Sequence, residues 1–414
     1  MSDKRIVITG IGVVSPIGIG KEKFSSNLFD GQAGFRPITL FDTKDLKVKI
    51  GGEITDFNPK EILGSRGLMD LDRATLLLNC AAKLALDDAK LNLTNENSDK
   101  IGVSVGTTFG SLHSISKFDR EAIKEGPRYA NPSVFPSTVG NSPASRLNIR
   151  FNIKGFSSTI STGMCAALDA TNYACDFMKL NRINTVVVGA VEDFSIQTFL
   201  GFYKLNYLSG LKGGAEPLSC PFDRRRDGII FSEGSVVFII EELASAKERN
   251  ADIYAEILGI GSSFDPVKFY RFNPRGTGMA EAMKLSLKDS RLEPQDIDCI
   301  FANANSTKDA DKIETKAIKD VFGAHVKQIP ITALKSAIGE TFSASGAFSI
   351  IAAIFSLNKN SIPAIKNYEK PDPDCDLDYV SGSNRKKQLR NIMVNAFGPN
   401  GENTTTIISK FKEN

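Results

Sequence analysis

Residues 161–170 read Ser-Thr-Gly-Met-Cys-Ala-Ala-Leu-Asp-Ala, and they follow an apolar stretch punctuated by glycine. A helical pattern continues from this segment, and we predict a buried helix over residues 162–180 whose first turns are rich in small side chains. Two sulfur-bearing side chains, Met164 and Cys165, stand at its start. The start of a helix offers free N–H groups and a positive dipole end, which is where a reactive thiol is activated.

The composition is that of an ordinary globular protein. The chain has 414 residues, of which 41% are hydrophobic and 24% charged. This length favours two domains or a duplicated fold over a single small core. The formal net charge of +3 is too small to indicate a nucleic-acid partner. Two short basic runs, Arg224–Arg226 and Arg385–Lys387, are interpreted as solvated faces.

The cysteines and the apolar runs exclude several other classes. Six cysteines are scattered without a C-x-x-C spacing, so neither a metal site nor a disulfide framework is predicted. The N-terminal residues lead directly into the strand-like Ile6–Thr9 rather than into a signal peptide. We find no apolar stretch of the roughly 18 residues that a membrane span needs. A cytoplasmic protein with reduced thiols and no membrane partner is therefore expected.

Short apolar runs alternate with helical patterns along the chain, which predicts an α/β fold. The second half repeats the plan of the first, since Gly-Ile-Gly at 259–261 echoes Gly-Ile-Gly at 10–12. We predict two duplicated halves, residues 1–250 and 251–414, that share one core because no Pro/Gly/Ser-rich linker separates them.

Six motifs of the chain, taken in order, resemble the β-ketoacyl synthase family of the thiolase superfamily. The motifs are Lys4–Gly20 (KRIVITGIGVVSPIGIG), Val134–Thr138 (VFPST), Pro221–Gly228 (PFDRRRDG), Ser232–Gly234 (SEG), Asp311–Glu314 (DKIE) and Asn395–Gly398 (NAFG). The resemblance covers nearly the whole chain. It implies a thiolase-like five-layer α-β-α-β-α sandwich that dimerises through its N-terminal half.

The resemblance also places the family's catalytic groups, and each of them is changed here. The nucleophilic cysteine of S-T-G-C-x-x-x-L-D falls on Met164, the first histidine on Asn303 and the second on Glu340. The lysine that precedes the second histidine is retained as Lys335, and the acid of the following helix falls on Ser349. The chain has two histidines, His113 and His325, and neither lies in a matching motif.

These replacements remove the expected chemistry. Methionine cannot form a thioester, asparagine cannot exchange a proton near neutral pH, and a glutamate charge is unfavourable where an oxyanion needs a donor. Cys165 is one residue past the nucleophile position, which turns its side chain by about 100° on a helix. We therefore expect Cys165 to be a small buried hydrophobe, and we predict no catalytic residue in this chain.

Within the family, the pattern of losses resembles the chain length factors of type II polyketide synthases. The resemblance implies a heterodimer with an active ketosynthase, an acyl carrier protein that brings phosphopantetheine, and a growing polyketide chain in a tunnel between the subunits. It implies no cofactor bound by this chain itself. Aromatic polyketide and aryl polyene systems both stay open. The alternatives are an independent condensing enzyme or acyltransferase that uses Cys165, and a purely structural partner subunit.

One amphipathic stretch is predicted to line the tunnel. Leu112, Ile115 and Phe118 recur at helical spacing in residues 110–127. By resemblance, this region borders the dimer interface, and we take Leu112, Ser114, Ile115, Phe118 and Phe135 as candidates for the tunnel and interface. Pro399 stands where active synthases carry a mobile phenylalanine, which predicts a stiffer loop.

Overall fold

The structure is a computed structural model, and it describes residues 4–69, 71–212, 216–268 and 270–413. The strands are β1 Ile6–Ser15, β2 Gly18–Ile19, β3 Arg36–Pro37, β4 Ile50–Gly51, β5 Ile101–Gly106, β6 Ser157–Ile160, β7 Thr185–Glu192, β8 Gly234–Glu242, β9 Ala255–Phe264, β10 Cys299–Phe301, β11 Ile331–Thr332, β12 Ser361–Ile362, β13 Arg385–Lys386, β14 Asn391–Phe397 and β15 Glu402–Ser409. The α-helices are α1 Lys21–Phe29, α2 Pro59–Leu63, α3 Arg73–Asp88, α4 Leu112–Glu125, α5 Ser142–Phe151, α6 Ala166–Lys179, α7 Ile196–Lys204, α8 Leu243–Glu248, α9 Thr277–Ser290, α10 Lys308–Phe322, α11 Lys335–Ile338 and α12 Ser345–Lys359.

Two five-stranded halves with the same strand plan make up the main sheet. Its order is β11-β10-β14-β15-β9-β1-β8-β7-β5-β6, with β2 attached to β1. In the first half β5 runs parallel to β6 and β7, and β7 is antiparallel to β8. In the second half β10 runs parallel to β11 and β14, and β14 is antiparallel to β15. The predicted α/β fold of two duplicated halves is confirmed.

The halves meet where β1 pairs antiparallel with β9, at Ile6↔Ile257 through Ile8↔Ala255. The first half ends with α8, and β9 opens the second after a short connection. The division at residue 250 stays a prediction, since the sheet runs without interruption across this junction.

Helices cover both outer faces and fill the space between the halves. α3 packs on β1 and β8, and α9 packs on β9 and β15. At the centre, α6 and α12 contact each other, and each also contacts strands of both halves. These contacts produce the predicted α-β-α-β-α order of layers, with the predicted helix over 162–180 in the central layer. That helix begins as a 3-10 turn, Gly163–Cys165, and continues as α6.

The central layer explains the most apolar helix of the chain. Residues 342–359 are long and apolar enough to cross a membrane by length and composition, so the sequence-based expectation of no such stretch is wrong. However, 89% of this segment is buried inside the protein. Its apolar side chains pack into the core on every side, because the helix lies between the two halves of the sheet.

Paired glycines let the outer helices approach the sheet in both halves. A Cβ added at Gly12 would lie 1.9 Å from the Ala81 carbonyl oxygen of α3, and one at Gly261 would lie 2.3 Å from the Ala282 carbonyl oxygen of α9. Real Cβ atoms do not come this close to backbone oxygen, so a side chain at either position must push the helix away. The echo of Gly-Ile-Gly in the sequence therefore marks equivalent helix-on-strand contacts.

We expect Gly12→Ala and Gly261→Ala each to lower the free energy of unfolding by about 1–3 kcal/mol, the usual cost of overpacking a core. Urea unfolding would measure both. Gly201→Ala is the matched control, because Gly201 lies in α7 with no heavy atom within 4 Å of the added Cβ. There, alanine should stabilise the helix by about 0.5–1 kcal/mol. Equal effects at all three positions would contradict this account.

Candidate functional site

Met164 sits in the 3-10 turn that precedes α6 and is 4% exposed. Gly163, with φ 56°, allows the left-handed backbone that starts this turn. The thioether packs in a cluster of buried aromatic and aliphatic side chains, which comprises Ile38, Val48, Phe194, Phe199, Phe202, Leu208, Ile229, Phe231 and Phe342. We call this set the phenylalanine cluster. A flexible thioether suits such a cluster, because sulfur packs well against aromatic rings.

Phe342 closes the cluster from the second half of the chain. Its ring centroid lies 4.7 Å from that of Phe202 and 5.1 Å from that of Phe231. Its φ of 45° is uncommon for a bulky residue. The 3-10 turns Gly163–Cys165 and Phe342–Ala344 contact each other, so residue 164 lies near the segment after Glu340.

Cys165 faces away from the phenylalanine cluster. It is fully buried, and its Sγ donates a hydrogen bond to the Ala396 carbonyl oxygen at 3.0 Å. Burial raises the pKa of the Cys165 thiol well above its ordinary value, and the charges of Asp169 and Glu402 raise it further. Because the thiolate is the nucleophilic form, this environment suppresses reactivity. The expectation of a small buried side chain agrees with this placement.

Asn303, Lys335 and Glu340 are joined through the lysine. Lys335 Nζ lies 2.9 Å from Asn303 Oδ1 and 2.9 Å from Glu340 Oε2. All three residues are at most 4% exposed. The other carboxylate oxygen, Glu340 Oε1, accepts from the Phe342 N–H at 3.0 Å and from Ser345 Oγ at 2.7 Å. Asn303, Lys335 and Glu340 thus form one buried network, in which Glu340 Oε2 is held by the charge of Lys335.

Two buried carboxylates hold the loop that carries Asn303. Glu314 accepts from the N–H groups of Asn303 and Ala304 at 2.9 and 2.8 Å, and burial raises its pKa to about 7. Asp311 accepts from the Asn305 N–H at 3.1 Å, and burial raises its pKa to about 6. These are the acids of the DKIE motif, and the contacts give them a positioning role.

The interpretation of Arg224–Arg226 as a solvated face is wrong for Arg226. This side chain is 1% exposed and lies 3.5 Å from Asp311 Oδ2 and 2.5 Å from Asp372 Oδ2. Carboxylates distant in the sequence supply its counter-charges, so the run itself gave no sign of burial. Arg224 is exposed, as expected.

The tunnel and interface candidates occupy one corner of the first half. Ser114 is buried, and its Oγ donates to Asp72 Oδ2 at 3.0 Å. Leu112, Ile115 and Phe118 are half-buried on α4, while Phe135 is 59% exposed and its ring centroid lies 6.3 Å from that of Phe118. The structure therefore gives Ser114 a bond inside the chain and leaves the four apolar candidates with free surface.

The sequence reasoning missed two features of the site. Phe109, just before α4, places its ring 5.5 Å from that of Phe342 and so links α4 to the phenylalanine cluster. The carboxylate of Glu402 lies in close contact with Gly163. The feature of the sequence that could have pointed to Glu402 is that it is the single charged residue of the glycine-rich stretch Asn395–Asn403.

The remaining candidates lie apart from this network. Ser349 is buried within α12. His113 is exposed on α4, and His325 lies in the 3-10 helix Gly323–Gln328. Within the described ranges, no group of three or more His, Cys, Asp or Glu side chains could hold a metal ion.

Comparison with known proteins decides the family. The family model of the β-ketoacyl synthase N-terminal domain matches residues 3–246, and that of the C-terminal domain matches residues 254–369. The chain belongs to the β-ketoacyl synthase family. The thiolase-like fold class predicted from the sequence is thereby confirmed.

Among family members, 3-oxoacyl-acyl-carrier-protein synthase 2 of Coxiella burnetii is 33% identical over 411 residues, 99% of each chain. The ishigamide ketosynthase/chain length factor superposes with a TM-score of 0.92 at 29% identity, over 99% of this chain and 100% of that one. A type II polyketide synthase acyl-carrier protein in complex with its ketosynthase bound to the hexaketide gives 0.90 at 27% identity, over 99% and 100%.

The buried lysine yields a stability prediction for this β-ketoacyl synthase homologue. Lys335→Met should lower the free energy of unfolding by about 3–5 kcal/mol, because Glu340 would stay buried without its counter-charge. Adding Glu340→Gln should recover part of that loss. Asp87→Asn, which breaks the exposed Lys83–Asp87 pair, should change stability by less than about 0.5 kcal/mol. Urea unfolding of the four proteins decides this, and a loss no larger than that of Asp87→Asn would refute it.

Proposed function

We propose that this chain is a catalytically inactive ketosynthase-like subunit, a chain length factor that pairs with an active ketosynthase in a type II polyketide synthase. One observation carries the proposal. The nucleophile position holds a thioether packed among phenylalanine rings, and the two histidine positions are tied to Lys335 instead of facing a substrate.

The chemistry of condensation explains why these contacts matter. A condensing enzyme needs a thiolate to carry the acyl chain and positioned donors for the charge that develops on oxygen. The Met164 sulfur has no proton to lose. Asn303 Oδ1 is occupied by an ammonium group, and Glu340 brings an anion whose partners are all protein groups. This supports a subunit that keeps the family's frame without its reaction.

The rival nucleophile, Cys165, is unsuited to catalysis. A reactive cysteine is partly exposed and has a lowered pKa. Cys165 is fully buried, its pKa is raised, and its hydrogen bond points to the backbone of β14. We therefore favour the inactive subunit over an independent synthase or acyltransferase.

Exposed apolar groups support the proposed partner. Ile123, Tyr129, Val139 and Ile149 are between 42% and 83% exposed, and they lie on or near α4 and α5. The edge strand β6 ends the sheet on this side of the described structure. Apolar groups beside an open strand edge favour a large interface. We assign this face to an active ketosynthase, as in the ishigamide ketosynthase/chain length factor.

The growing chain needs a carrier and a place to extend. We propose that an acyl carrier protein delivers it to the ketosynthase on phosphopantetheine, as the complex with a hexaketide suggests for that relative. The phenylalanine cluster surrounds Met164, and Phe109 extends the line of aromatic rings toward α4. The chain would thus run along the face of α4, where Leu112, Ile115 and Phe118 have free surface. A cytoplasmic location stays a prediction.

The purified chain should neither load an acyl group nor condense one. Incubation with a radiolabelled acyl thioester and malonyl-loaded carrier protein should leave it unlabelled, and Met164→Cys alone should not restore condensation because Asn303 and Glu340 remain. Iodoacetamide at pH 7.5 should spare all six buried cysteines of the native chain and modify them after unfolding. Rapid labelling of Cys165 by either reagent would overturn the proposal in favour of the independent enzyme.

Variants on α4 should change product length. Ala and Trp placed in turn at Leu112, Ile115, Phe118 and Phe135 should shift the polyketide by about one or two extensions, since two bonds of chain advance roughly 2.5 Å. Mass spectrometry of the products made with the paired ketosynthase measures this. Ser114→Ala serves as control, because Ser114 bonds to Asp72 inside the chain. If every pairing variant gives the parental length, this chain does not set length through α4, and a structural partner role is favoured.

A further inference from the structure

Glu402 is the first residue of β15, and its carboxylate lies between two glycine turns. A Cβ added at Gly163 would fall 2.1 Å from Glu402 Oε1, and one added at Gly398 would fall 1.9 Å from the same oxygen. Both positions therefore need glycine for the carboxylate to fit. The two turns belong to different halves of the chain, so this oxygen sits in a cradle assembled by the fold.

Backbone N–H groups line the cradle. Burial raises the pKa of Glu402 above its ordinary value, and hydrogen bonds from the N–H groups of Glu402 itself, Met164 and Asn400 act against that rise. The negative charge is also felt by the neighbouring Cys165, whose pKa it raises. The half-buried carboxylate thus lies close to both turns, beside Gly163 on one side and Gly398 on the other.

The second turn has lost one donor. Pro399 has no N–H, so it cannot donate to a group in the cradle. Its neighbour Asn400 supplies the N–H on that side. An external carbonyl oxygen would find fewer donors here than a turn without proline would offer, and Glu402 already lies in the space beside them.

An acyl group carried on residue 164 would need this same cradle. When a side chain attacks a carbonyl carbon, the oxygen that gains negative charge is commonly stabilised by the backbone N–H of the attacking residue. Here the Glu402 carboxylate already lies beside Gly163, so an incoming oxyanion would meet a carboxylate at close range. This carboxylate disfavours a thioester at this position, whatever side chain stands there.

We propose that Glu402 is an internal anion that occupies the acyl-oxygen cradle and excludes acyl thioesters and small carboxylates from it. Glu402 thus determines which groups can bind beside residue 164. It keeps the carbonyl oxygen of an acyl thioester out of the cradle, whichever side chain stands at position 164. The inference rests on the proposed function for its purpose, which is to keep the growing chain on the partner ketosynthase. The cradle and the carboxylate in it are both built from residues of this chain.

Small carboxylates test the cradle directly. The full-length Glu402→Ala variant should bind formate in the vacated place, and its thermal midpoint should rise saturably by about 1–2 °C between 0 and roughly 200 mM sodium formate at constant ionic strength. The parent and Glu248→Ala, which removes an exposed carboxylate of α8, should not respond. Glu402→Gln should not respond either, because the amide fills the same space without the charge.

These variants separate the proposal from a purely structural role. A turn that merely needs Glu402 for packing would lose stability in Glu402→Ala and gain nothing from formate. An equal midpoint shift in all four proteins, no shift in Glu402→Ala, or the same response in Glu402→Gln would each overturn the occupied cradle.

The exclusion of acyl groups needs a second measurement. In Met164→Cys, the introduced thiolate can attack an acyl N-acetylcysteamine thioester, so that a new C–S bond forms and N-acetylcysteamine leaves as the thiol. The same thiolate can attack the CH2 carbon of iodoacetamide, so that a C–S bond forms and iodide leaves without an oxyanion developing. Adding Glu402→Ala should raise the ratio of the acylation rate to the alkylation rate at least about tenfold, because the N–H groups become free for the carbonyl oxygen. An unchanged ratio would refute the exclusion.

Neither measurement involves polyketide length, so the two proposals fail separately. Length control by α4 with no formate response would leave the chain length factor in place and remove the cradle. A formate response and a raised acylation ratio without any effect of α4 on product length would do the reverse.

Discussion

One buried ammonium group, that of Lys335, fixes the geometry on which the rest of the site depends. It neutralises Glu340 and donates a hydrogen bond to Asn303 Oδ1, and so connects the loop after β10 to the segment before α12. The backbone of Glu340 in turn pairs with Phe231, which places Phe342 against the phenylalanine cluster. The phenylalanine cluster around Met164 is therefore supported by an ion pair. Removal of one partner of a buried ion pair is strongly destabilising.

The fold could be predicted further than the site. Strand and helix periods, together with the repeated Gly-Ile-Gly, were enough for two duplicated halves, because these signals are local. The positions of Met164, Asn303 and Glu340 followed from motif order. The burial of Arg226, the ring contact of Phe109 and the place of Glu402 did not, since each depends on partners far away in the sequence. A short segment of sequence does not show which distant carboxylate or aromatic ring will contact a residue in the fold.

Family membership and the identity of the site side chains are separate properties of this chain. About a third of its residues match a 3-oxoacyl-acyl-carrier-protein synthase over nearly the full length, which is ample to conserve the layers and their glycine contacts. The chemistry resides in a handful of side chains that the fold does not require. The contacts of Lys335, Glu314 and Asp311 show that supporting groups persist around altered centres. A fold is therefore weak evidence for a reaction until its site residues are inspected.

The place of β1 in the sheet has a consequence for how the protein is made. All ten residues of β1 are buried, and the strand lies between β8 and β9. It leaves the ribosome before both neighbours, since Gly234–Glu242 and Ala255–Phe264 follow on the order of ten seconds or more later at ordinary rates of synthesis. Until then this apolar strand has only the two-residue β2 as a partner strand in the nascent chain. Translation speed and chaperone supply should thus govern the yield of the protein, since β1 gains both of its long neighbours only after residue 264 has emerged.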